Sequence, residues 1–64
     1  MRFGELRPLI TGDTIIFLKN EAGNPLGLRI QEGFPGRYDR CIVKSVSVQF
    51  YPSYGSRPII TIVV

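Results

Sequence analysis

The run Pro58-Ile59-Ile60-Thr61-Ile62-Val63-Val64 constrains this chain more than any other stretch. Branching at Cβ crowds a helix and suits a pleated surface, so the run reads as a strand. It is apolar on both faces, with Thr61 its sole polar side chain. A strand of that kind at a free edge is an aggregation hazard. It must therefore be central in a sheet, buried beneath a helix, or paired with another chain. The sequence leaves all three solutions open.

Size sharpens the problem. The 64 residues make a single domain, 1–64. Scaling rules give roughly 4,100 Å² of folded surface against roughly 10,400 Å² for the unfolded chain. If about 60% of the difference is apolar, burial contributes on the order of 95 kcal/mol. Ordering the chain at about 1.5 kcal/mol per residue costs about the same, so the monomer balances near zero. Two common staples are missing: Cys41 is the single cysteine and there is no histidine, which excludes an internal disulfide and the usual zinc sets. No metal and no cofactor is expected. What remains is self-association, and a homo-oligomer is the expectation.

Along the chain, Phe3, Leu6 and Ile10 fall at helical spacing. Pro8 is tolerable there if the helix begins near Gly4, and Gly12 supplies a stop. Thr14 to Asn20 reads as a strand with both faces apolar. Leu26, Leu28 and Ile30 alternate with Gly27, Arg29 and Gln31 as a second strand, and the two form a hairpin. Glu32 to Arg40 is a long connection. Cys41 to Tyr51 is the longest strand candidate, with Ile42, Lys44, Val46, Val48 and Phe50 on one face and Ser45, Ser47 and Gln49 on the other. Such alternation predicts an antiparallel sheet with one wetter face. The expected fold is α+β and mostly β: a small four-stranded, mostly antiparallel sheet with one short N-terminal helix.

Charge is uneven. Residues 1–32 are neutral, whereas 33–64 carry Arg37, Arg40, Lys44 and Arg57 against Asp39 alone, which accounts for the whole net charge of +3. All three tyrosines, Tyr38, Tyr51 and Tyr54, lie in the same half. Arginine forks match phosphate and carboxylate, aromatic rings stack bases, and glycine lets backbone amides approach oxygen atoms. The loops Gly36-Arg37-Tyr38-Asp39-Arg40 and Tyr51-Pro52-Ser53-Tyr54-Gly55-Ser56-Arg57 are thus candidate ligand-binding segments. A converged site would draw on Arg37, Tyr38, Arg40, Tyr51, Tyr54 and Arg57. The plainer alternative is a solubilising surface, with Asp39 neutralising Arg37 or Arg40 and the tyrosines packed on neighbouring strands. Lys44 suits a sheet rim, and Asp13 a turn. Cys41 has no histidine partner and reads as a small buried hydrophobe. No catalytic motif is complete, so the protein is expected not to be an enzyme.

The apolar runs are too short to cross a bilayer as helices. The opening Met1-Arg2-Phe3-Gly4-Glu5 lacks the apolar stretch of a signal peptide, and a reducing cytoplasm is expected. Thr11-Gly12-Asp13-Thr14 leading into an apolar strand, Asn20-Glu21-Ala22-Gly23-Asn24-Pro25-Leu26-Gly27, and Tyr38-Asp39-Arg40 followed by Val43-Lys44-Ser45-Val46 together resemble small, uncharacterised proteins of Firmicutes and their prophages. This chain departs from that group in being basic, and no functional residue carries over. The resemblance implies a compact accessory protein, phage-encoded and acting in the host cytoplasm. Phage proteins of this size include anti-defence proteins that sequester nucleotide signals and others that block a nuclease or its guide complex. The leading expectation is a non-catalytic protein that captures an anionic, nucleotide-like small molecule at an oligomer-associated site. The alternatives are a protein-binding inhibitor of a host enzyme or nuclease, working through a sheet edge or the tyrosine loops, and a module that binds single-stranded nucleic acid.

Overall fold

The computed structural model describes residues 1–64 except Tyr51, Ser53, Tyr54 and Ser56. Helix α1 (Phe3–Leu6) opens with the Arg2 backbone N–H donating to Glu5 Oε1 at 3.1 Å. It runs directly into a 3₁₀ turn at Arg7–Leu9, where Pro8 sits among the first residues and removes a donor that has no partner there. Strand β1 (Ile15–Lys19) and strand β2 (Pro25–Ile30) form the expected hairpin, closed by Gly23 at φ 88°. Pro25 opens β2 opposite Lys19, a position where a missing amide is tolerated. The connection that reads as a loop in sequence contains two 3₁₀ segments, Gln31–Gly33 and Gly36–Arg40. Strand β3 (Ser45–Phe50) and strand β4 (Pro58–Val63) complete the fold.

The strand order is β2-β1-β4-β3. β1 pairs with β2, and β3 with β4, antiparallel; β1 and β4 are parallel. The sheet is therefore mixed, a correction to the antiparallel expectation. The cause lies in β4. Apolar on both faces, it is most stable with a strand on each side. It inserts between β1 and β3, with Ile15 level with Ile59 and Lys19 level with Val63. Of the three solutions the sequence leaves open, the central position is the one adopted.

A second correction concerns β3. The expected strand from Cys41 begins only at Ser45, and Ile42 contributes instead an isolated antiparallel bridge to Arg2. Two backbone bonds, from Phe3 N–H to Cys41 C=O and from Val43 N–H to Met1 C=O (2.8 Å each), spend this segment on the N-terminal stretch.

One face of the sheet is covered. Ile16 and Leu18 of β1 and Ile62 of β4 pack with Phe3, Ile10 and Phe34 in the core, and Ile60, Leu26 and Tyr38 pack against them. Phe34 meets Phe3 edge to face at 5.5 Å and lies on β2, where a Cβ at Gly27 would stand 2.9 Å from its Cε1. Glycine at position 27 is thus required by close approach. The opposite face carries Ile15, Phe17, Leu28, Ile30, Ile59, Thr61 and Val63, none of them in that cluster, although Ile59 is buried. Thr61 is buried there, and its Oγ1 has no hydrogen-bond partner.

Candidate functional site

The 3₁₀ helix Gly36–Arg40 gathers three of the six residues expected to bind an anion. The Arg37 guanidinium lies 5.1 Å above the Tyr38 ring centroid, and its Nη2 is 3.4 Å from the Tyr38 hydroxyl. Tyr38 is half-buried, with its ring 6.3 Å from Phe34 in an edge-to-face contact, while Arg37 and Arg40 are exposed. The chain of rings Phe3, Phe34, Tyr38 thus anchors the segment to the core and leaves its arginines in water.

Asp39 does something the sequence does not suggest. It pairs with Arg7 (Nη1 to Oδ1, 2.8 Å), not with Arg37 or Arg40, and Arg7 Nη2 also donates to the Phe34 carbonyl. The two elements touch closely, since a Cβ at Gly4 would fall 2.7 Å from Asp39 Cβ. Arg7 is separated from Asp39 by 32 positions, and no local pattern marks the pair. Its effect is structural: it ties the Gly36–Arg40 segment to the start of the chain and leaves both neighbouring arginines without a carboxylate from Asp39.

Arg57 stands in a different place. With Asp13, Thr14, Ile15 and Pro58 it lines an open cleft of about 250 Å³ at the end of the sheet where β1 and β4 begin. None of residues 36–40 lines that cleft. Lys44, half-exposed at the rim, has its Nζ 3.6 Å from Glu21 Oε1. Tyr51 and Tyr54, the remaining expected ligand residues, lie outside the described residues. Among the described residues no group of three or more His, Cys, Asp or Glu side chains is arranged to hold a metal ion. No helix among them is long and apolar enough to cross a membrane.

Among the described residues, the edge strand β3 stands out for its exposure. All six of its residues are exposed, and the stripe Val46, Val48 and Phe50 is 49%, 56% and 68% accessible. These side chains lie on the covered side of the sheet, since Val46 is level with Ile62 and Val48 with Ile60. They nevertheless take no part in the core. The sequence predicts this stripe as the drier face and misses that its strand is an edge, beyond the reach of Phe3 and Phe34. From Ser45 to Phe50 the strand holds no charge and no proline. Its outer side carries a row of backbone donors and acceptors, the usual template for strand addition.

No protein-family model, no curated protein and no solved structure matches this chain.

Proposed function

We propose that this chain is a non-catalytic binding protein whose recognition element is the outer edge of β3, to which an extended protein segment adds as a further strand. One observation carries the reading: six consecutive uncharged residues, exposed along the whole strand, with apolar side chains alternating on one side. Backbone hydrogen bonds supply affinity in strand addition, and alternate side chains supply selectivity. Val46, Val48 and Phe50 offer the apolar strip, and Ser45 and Ser47 the wetter one. Titrating isotope-labelled protein with an eight-residue alternating Thr-Val peptide tests it. The expected result is shifted and slowly exchanging amides along Ser45–Phe50. Amides there that respond neither to this peptide nor to rising protein concentration would defeat the reading.

A second reading, capture of a nucleotide-like anion, is favoured by one geometric fact: Arg37, Tyr38 and Arg40 share a short helix anchored through Phe34. Phosphate would replace water on the guanidinium groups, and a base would compete with Arg37 for the Tyr38 ring. A nucleotide panel at millimolar concentration should then raise the melting temperature and shift the Tyr38 ring resonances. A silent panel removes this reading and leaves the first intact. An anti-defence role inside a host cell, which the prophage resemblance implies, is the proposed setting of either.

A further inference from the structure

We infer that the strand added at β3 is β3 of a second copy, joined antiparallel about a two-fold axis that passes midway between Val48 and the partner's Val48. This rests on the edge reading above and names its partner. The argument begins with self-complementarity. An isologous contact sets the same patch against itself, so an edge can dimerise only if its own sequence tolerates reversal. With Val48 opposite the partner's Val48, Val46 meets the partner's Phe50 and Ser47 meets the partner's Gln49. Apolar faces apolar, polar faces polar, and no charge is opposed in the paired segment Val46–Phe50.

The geometry continues what the monomer starts. A two-fold axis normal to the sheet keeps both covered faces on the same side. The paired stripes of Val46, Val48 and Phe50 then fill the gap between the two helical layers, where each monomer leaves them half or more exposed. Ile42, 49% exposed, lies just before the strand and extends the apolar surface beyond it. Each of these four residues is already partly buried in one copy, so the apolar area they add across both copies falls short of the roughly 1,200 Å² at which standard interfaces begin. Contacts below about 1,200 Å² belong to weak, reversible complexes, so exchange between monomer and dimer is expected in the micromolar range or above. The opposite edge cannot substitute. β2 begins with Pro25, is interrupted by a register shift at Leu18/Lys19, and carries Arg29 within reach of the Gly33 carbonyl.

Sedimentation equilibrium from micromolar to millimolar protein tests the inference, with circular dichroism to check that every variant is folded. Wild type should move from the mass of one subunit to that of two. Val48→Lys sets lysine against lysine on the axis and should remain one subunit throughout. Leu28→Lys, on the far side of the sheet, should dimerise like wild type. Mixing Val48→Lys with Val48→Glu should restore the two-subunit mass, which neither variant reaches alone. A wild type that stays one subunit at millimolar concentration overturns the inference. So does a dimer that survives Val48→Lys but is lost in Leu28→Lys. If wild type is monomeric while the Thr-Val peptide still protects the Ser45–Phe50 amides, the edge reading stands and only the second copy is wrong. If that peptide also leaves no trace, both fall.

Discussion

The two edges of this sheet are built to opposite rules. On the β2 side, Phe34 lies against Gly27, the Gln31–Gly33 turn follows the strand, and Pro25, Arg29 and a register shift break the ladder. On the β3 side six uncharged residues are exposed along the whole strand. Natural sheets blunt their edges with proline, charge and bulges. One edge here has all three and the other has none. Under the proposal made above, the open edge is where contact is made.

Substitutions can break or sharpen that contrast. The largest effect is expected at Phe34, where replacement by alanine empties the centre of the helical layer and should cost about 3–5 kcal/mol. For a domain so small, that abolishes the cooperative thermal transition seen by circular dichroism. The matching change on the other edge, Phe50→Ala, should cost less than about 1 kcal/mol, because the ring is largely in water already. Equal costs at the two phenylalanines would break the contrast outright. Next comes Gly27→Ala, which drives a methyl into the Phe34 ring and should lose about 1–3 kcal/mol in urea denaturation, partly recovered by Phe34→Leu. Arg7→Met leaves Asp39 and the Phe34 carbonyl without their donor; about 1 kcal/mol is expected, discounted because Asp39 is partly in water. The smallest effect is at the rim. Removing Lys44 from Glu21 with Lys44→Ala should change the urea midpoint by no more than about 0.5 kcal/mol, and that difference should vanish in high salt.

Much of this architecture is legible in the sequence, because period and composition report local demands. The hairpin of β1 and β2 follows from the turn residues before Pro25 and the alternation after it. The central place of β4 is among the solutions its apolar faces allow. What escapes is whatever depends on distant pairing. The parallel match of Ile15–Lys19 with Ile59–Val63 leaves no mark in either segment. The Arg7–Asp39 pair bridges the chain in the same way. Alternation in Ser45–Phe50 shows two unlike faces but not whether a second layer reaches the apolar one. For the candidate site, sequence groups Arg37, Tyr38 and Arg40 because they are neighbours, and the structure keeps them on one short segment. Bringing Arg57 to them requires a knowledge of which strand ends coincide, and the cleft it lines is shared instead with Asp13 and Thr14.

The parallel match also governs how this molecule can be assembled. Each antiparallel pair closes a modest loop and forms early, yet two strands alone barely hold together in water. Only when residues some forty positions apart come into line do the halves become one cooperative body. Folding speed should therefore answer to changes at Ile16, Leu18, Ile60 and Ile62 far more than to changes at either hairpin turn. The slow step expected from this topology is the zipping of a central seam, before which neither half has a lasting shape.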